Sequence, residues 1–178
     1  MQGFWKGLHL KRDLKERWQR LYRIAYSWSH DPQLSKDLVQ DTIEKALKNA
    51  HQLRDEQALD AWLLRIMVNC WRDHCRKQKD VVELNPTLLL DERLPEDAHG
   101  QHNIINKVRT AVKNLSQEYR EVVTLVDLEQ MSYKEVAEIL DIPIGTVMSR
   151  LCRARNQLRD VLQDFDLDPK RSVVRRIK

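Results

Sequence analysis

Between Ser132 and Leu158 the chain reads SYKEVAEILDIPIGTVMSRLCRARNQL. Two apolar stripes of helical period lie on either side of a break that neither can include. Ser132 followed by Glu135 predicts a capping box, in which hydroxyl and carboxylate each satisfy an orphan amide at a helix start. Val136, Ala137 and Leu140 then give a short apolar face. DIPIG ends that helix, because Pro143 has no amide hydrogen and constrains Ile142, yet proline suits the first turn of a new helix. In the second helix Val147, Leu151, Ala154, Leu158 and Leu162 share one face and are expected to be buried. Thr146, Ser149, Arg150, Arg153 and Gln157 fall on a separate face and are expected to point outward. Two short helices with a tight break, the second carrying hydroxyls and guanidinium groups, form a helix-turn-helix. A helix about 10–12 Å across fits the DNA major groove, where Arg bonds guanine edges bidentately. The plain alternative is an amphipathic hairpin with solvated arginines.

The remaining chain of 178 residues is helical in pattern. Four glycines and five prolines are too few for the turns of an all-β fold. Trp18, Leu21, Tyr22 and Ala25 mark one helix from about Leu14, and SHDPQ interrupts it at Pro32. Leu38, Val39, Thr42, Ile43, Ala46 and Leu47 mark a second, and NAHQLRDEQ reads as a connection. A third runs from about Ala58 to Lys77. Residues 80–103 hold two of the five prolines, one glycine and no sustained period, so they read as a flexible linker. At roughly 3.3 Å per residue it reaches about 80 Å, so the flanking domains need not touch. Ile104, Val108, Ala111 and Leu115 resume the helical spacing, and Ser116 offers a helix cap with Glu118 in the following turn. The expected fold is all-α: two small helical domains, 1–79 and 104–178, joined by 80–103, with a basic tail, KRSVVRRIK.

Net charge is +4, unevenly distributed: +6 over 1–79, −5 over 80–103 and +3 over 104–178. Two basic blocks suggest a polyanionic partner. Arg65, Asn69, Arg72 and Arg76 lie on one helical stripe, extended by Lys77 and Lys79. Asn is a poor helix former, so an exposed Asn among arginines suits a hydrogen-bonding reader of bases. Trp62 and Trp71 are candidates for stacking on unpaired bases, with core packing the stronger reading for Trp62. Cys70 and His74 share a helix face but Cys75 points elsewhere, so no metal site, cofactor or catalytic residue is assigned. No apolar run approaches a membrane span and the N-terminus lacks a signal-peptide core, so a cytoplasmic protein without membrane insertion is expected.

Three strings carry a family resemblance. DLVQDTIEKALKN (Asp37–Asn49), AWLLRIMVNCWRDHCRKQK (Ala61–Lys79) and the run from Asn114 to Leu158 resemble, in order, the core-binding helix, the −10 segment and region 4 of bacterial extracytoplasmic-function (ECF) sigma factors. The resemblance implies a non-enzymatic factor that binds core RNA polymerase, directs it to promoters and helps open the duplex. By similarity Asp37, Leu38, Gln40, Asp41 and Thr42 lie on the helix that docks on the clamp of the largest subunit, and the flap is a further contact. Asn69, Arg72, Arg76 and Lys77 would meet the −10 element, and the connection His51–Asp60 would help hold a flipped base. Thr146, Ser149, Arg150, Arg153 and Arg155 would approach the −35 element. The acidic linker would enter the channel later used by nascent RNA, and an anti-sigma factor is an expected partner.

The chain departs from the family pattern at Met148, where many relatives carry Arg, at Cys152 and at Leu47, which replaces a frequent Trp. A dimeric helix-turn-helix repressor would account for Ser132–Leu158 but leave DLVQDT and the α-helical arginine stripe unexplained. A zinc-dependent nucleic-acid enzyme built on Cys70 and His74 is the other rival.

Overall fold

The computed structural model describes the backbone of residues 2–53, 55–84 and 108–163, and side chains within 13–78 and 108–161. Every regular element among these residues is helical. In chain order they are α1 (Gln2–Ser29), α2 (Pro32–Lys48), α3 (Leu59–Leu84), α4 (108–113), α5 (Gln117–Val123), α6 (Tyr133–Leu140) and α7 (Ile144–Gln163). α1 begins earlier than the periodicity from Leu14 predicts, and the backbone of α3 runs to Leu84, into the stretch assigned as linker. The rest of that linker, Ile104, Ile105, Leu162 and the basic tail lie outside the residues whose side chains are described.

The breaks follow local chemistry. Asp31 caps α2, its carboxylate accepting from the amides of Gln33 (2.7 Å) and Leu34 (2.9 Å), while Pro32 fills a first-turn position that needs no amide donor. Two short 3-10 turns, Ala50–Gln52 and Glu56–Ala58, carry the chain from α2 to α3. The hydroxyl of Ser116 accepts from the Tyr119 amide at the start of α5. α5 then widens into one π-helical turn, Thr124–Leu128, closed by Glu129 N–H to Thr124 O at 3.0 Å. The capping box at Ser132 and Glu135 forms as expected: the carboxylate accepts from the Ser132 amide at 2.8 Å, and the Ser132 hydroxyl accepts from the Glu135 amide. Asp141 ends α6 in the left-handed region (φ 56°), which Asp tolerates better than most residues. α7 begins one residue after Pro143.

α1, α2 and α3 pack as one helical unit around Leu21, Trp28, Val39, Leu63 and Met67. α5, α6 and α7 form a second around Val122, Leu125, Val136, Leu140, Val147 and Leu151. Each such side chain contributes about 1.5–3 kcal/mol on burial. The units also touch: α3 packs on α6, α1 packs on α5, and their buried residues form one continuous cluster. A linker long enough to keep them apart therefore joins two units that are packed together.

Replacing Ser132 by Ala removes a cap without touching either core. It is expected to cost about 1 kcal/mol, read as a lower urea midpoint by circular dichroism with unchanged slope. An unchanged midpoint would contradict the capping role.

Candidate nucleic-acid interface

α7 rests on the second core through Val147, Leu151 and Ala154, with Leu158 half-buried, as the apolar stripe predicts. The opposite face does not behave uniformly. Ser149 and Arg153 are exposed, with the Ser149 hydroxyl bonded to the Thr146 carbonyl at 3.1 Å, and Thr146 is half-buried. Arg150 does not project freely. Its side chain is 19% exposed and Nη2 meets Glu118 of α5 at 2.9 Å. Arg155 is turned to Asp127 on the π-turn at 2.5 Å, a pairing that raises its pKa against the opposing effect of burial. Of the three candidate arginines on α7, Arg153 is exposed and meets no carboxylate among the described residues, while Arg150 and Arg155 tie α7 to its own domain. Ile144 and Met148 are exposed one turn apart near the start of the same helix.

α3 carries the second stripe. Arg65, Asn69, Arg76 and Lys77 are exposed. Arg76 meets Asp73 at 2.7 Å, and Arg65 reaches Asp141 of the second unit at 3.8 Å. Arg72, from the middle of the stripe, is held instead by the second unit. Its Nη2 lies 2.8 Å from Glu121 Oε2, Nε 3.3 Å from the same oxygen, and Nη1 donates to the Leu140 carbonyl at 3.1 Å. Glu121 is 0% exposed and also accepts from Gln117 Nε2 at 2.9 Å. Trp71 does not face solvent either. It is buried, stacked between Trp28 (6.3 Å between ring centroids) and His74 (6.2 Å), with the Arg120 guanidinium 5.9 Å from its ring centre. A helical count cannot show that a second domain covers that side of α3.

On α2 the candidate docking residues divide by helix face. Asp37, Gln40 and Asp41 are exposed; Leu38 and Thr42 are buried, with the Thr42 hydroxyl donating to the Leu38 carbonyl at 2.7 Å. The buried pair fixes the helix and the exposed trio is available to a partner. Beside it runs an open groove lined by Trp18, Lys36, Gln40, Ile43, Glu44 and Leu47. Trp18 stacks on Tyr22 at 5.3 Å, and Tyr22 on Tyr26 at 6.2 Å, an aromatic ladder that the helical spacing alone did not single out as a surface feature. In the α2–α3 connection His51, Gln52, Asp55 and Gln57 are exposed.

Polar groups beyond Arg72 cross between the units. Arg120 donates to the Trp28 carbonyl, the Ser27 and Thr124 hydroxyls lie 3.0 Å apart, and Arg20 bridges Asp60 (2.7 Å) and Glu129 (2.6 Å). Within the first unit Arg17 also bonds Asp60. Sequence reading missed these residues, because partners 40 to 109 positions apart leave no periodic signal.

Among the described residues an all-helical fold brings together a helix-turn-helix, a second cationic helix and exposed Asp37, Gln40 and Asp41 on α2. The comparisons place that arrangement in a family. The sigma-70 region 2 family model matches residues 15–81 and the sigma-70 region 4 model residues 105–158. The chain is 34% identical over 161 residues to the RNA polymerase sigma-E factor of Streptomyces coelicolor, covering 90% of both chains. It is 28% identical to the ECF RNA polymerase sigma factor SigW of Bacillus subtilis, covering 82% of this chain and 84% of that one. Among solved structures, the sigma factor RpoE in complex with the anti-sigma factor NepR from Bartonella quintana superposes with a TM-score of 0.74 at 29% identity, over 86% of this chain and 96% of that one. The chain belongs to the ECF RNA polymerase sigma factors, and it directs the polymerase to promoters through regions 2 and 4 without being an enzyme.

His30 provides a pH probe of the contact between the units. It sits at the end of α1 with φ 53°, and burial, then the nearby Arg120 charge, holds its pKa below the ordinary 6.5. The neutral ring is favoured in the folded state, so acidification through about pH 6.5 and below removes stability. The thermal midpoint should fall less steeply over that range in His30→Asn, since Asn tolerates the left-handed backbone. Equal slopes for the two proteins would contradict this.

Proposed function

We propose that the exposed trio Asp37, Gln40 and Asp41, positioned by Leu38 and Thr42, docks on the clamp of core polymerase's largest subunit, with the groove at Trp18, Ile43 and Leu47 beside it. Asn69, Arg72, Arg76 and Lys77 engage the −10 element, and the exposed connection from His51 to Asp60 helps hold an extruded base. Capturing such a base offsets an unstacking cost of a few kcal/mol. In region 4, Arg153 with Thr146 and Ser149 reads the −35 element, while Arg150 and Arg155 set the pose of α7 and add positive charge. Region 4 contacts the flap, and the acidic linker occupies the RNA channel. The factor works in the cytoplasm, where the polymerase is. The RpoE relative, solved with the anti-sigma factor NepR, supports an anti-sigma partner for this chain.

The observation that carries this reading is the pairing of an exposed polar trio on α2, two carboxylates and an amide, with an exposed Arg153 on a helix-turn-helix. A dimeric repressor has no use for the first, and among the described residues no cluster of His, Cys, Asp and Glu suits a metal ion.

Run-off transcription by core polymerase, with and without the protein, over a promoter library tests the function. New start sites are expected only with the protein. Arg153→Ala should weaken initiation at those sites by about 1–3 kcal/mol, the range for a bidentate base contact. Unchanged promoter strength would remove Arg153 from that role.

A further inference from the structure

A helix-turn-helix reads base edges with the N-terminal residues of its second helix. In α7 that segment, 144–152, contains one cation, Arg150, and Glu118 holds it at 2.9 Å. The exposed residues of the segment are Ile144, Gly145, Met148, Ser149 and Cys152, none of them a cation. An exposed guanidinium comes only afterwards, at Arg153. Met148 is 52% exposed, and Ile144, one turn before it, is 46% exposed. The end of α7 that leads into a groove is therefore apolar where a cation would be expected.

Helix geometry separates the two chemistries. At about 100° per residue, Ser149 and Asn156 stand opposite the buried stripe of Val147, Leu151 and Ala154. Met148 and Cys152 lie on one side of that outward line and Arg153 on the other. On the flank of Met148 the next cation along the helix, Arg155, is turned to Asp127 at 2.5 Å. At Gly145, in the first turn, no atom from elsewhere in the described chain lies within 4 Å of the place a Cβ would occupy. The tip of α7 thus stands clear of its own domain.

In the major groove an apolar side chain has one base-specific partner, the C5-methyl of thymine. The other bases present hydrogen-bond donors and acceptors there, which a thioether and its methyl cannot match. The three rotatable bonds of methionine let it settle into an irregular gap against such a methyl.

We propose that Met148, supported by Ile144, is a specificity-determining residue that reads a thymine methyl in the −35 element, while Arg153 reads a base on the other flank of α7. The −35 element of this factor then carries an A·T pair facing the start of α7, and cytosine is rejected there because it lacks the methyl. This rests on α7 meeting the −35 element.

The test uses holoenzyme and fluorescent duplexes of a promoter found by run-off, with each −35 thymine replaced in turn by uracil. Uracil removes the methyl and keeps the base pair. At the thymine facing Met148 the replacement should weaken wild-type binding by about fourfold, the worth of one buried methyl-sized group; this measurement needs no variant. Met148→Ala should bind the thymine and uracil duplexes equally, and Met148→Arg should prefer a G·C pair at that position. Because Met148 is exposed, both variants should keep the wild-type thermal midpoint. Arg153→Ala should bind more weakly yet retain the sensitivity to uracil. A −35 element without thymine, uracil duplexes bound as tightly as thymine ones, or full uracil sensitivity in Met148→Ala would overturn the role of Met148. With Arg153→Ala still impaired, the promoter function would stand. If scrambling the whole −35 element leaves binding unchanged, the −35 role of α7 fails, and the role of Met148 with it.

Discussion

The most demanding contact between the two helical units is the ion pair of Arg72 with the buried Glu121. A buried carboxylate without a partner is strongly unfavourable, and breaking such a pair from one side typically costs about 3–5 kcal/mol. Glu121 is fully buried, so α5 can lie against α3 only where a cation meets it. Arg72 supplies that cation and also satisfies the Leu140 carbonyl at the end of α6. One side chain therefore fixes two elements of region 4 against region 2.

The same economy of roles runs through region 4. The helix-turn-helix depends on a capping box at its start, a left-handed Asp141 at the bend and Pro143 before the next helix. These fix the angle at which α7 leaves the domain. Arg150 and Arg155 then use their charge on Glu118 and Asp127 within the domain. The outward chemistry left to α7 includes Ser149, Arg153, Gln157 and Arg159 and the exposed apolar pair Ile144 and Met148.

Local features were readable from the sequence because their causes are local. Helical period, a Ser–Glu cap and a proline break act within a few residues, and the corresponding elements appear where those signals place them. The three order-specific strings also identified the family. What escaped the sequence was set by residues far apart. Arg72 belongs to an exposed stripe by count, yet Glu121, 49 positions away, draws it inward. Arg150 lies on the outward face by count, yet Glu118 claims it. Trp71 was a candidate for stacking on bases and proves to be packed against Trp28. Leu38 and Thr42 lie on the expected docking helix but on its inner side. The early start of α1 and the extension of α3 to Leu84 fall where apolar periodicity fades, so pattern reading placed those ends too conservatively.

The central claim is that the two helical units, packed together in the free chain, come apart when they engage a promoter. The distance between spin labels at exposed positions Arg23 in α1 and Asn156 in α7, measured by pulsed dipolar spectroscopy in a cysteine-free background, tests it most directly. The account predicts a short, narrow distribution in the free chain and a long one, lengthened by tens of ångströms, in the polymerase–promoter complex. A long, broad distribution in the free chain, or a short one that survives promoter binding, would contradict it.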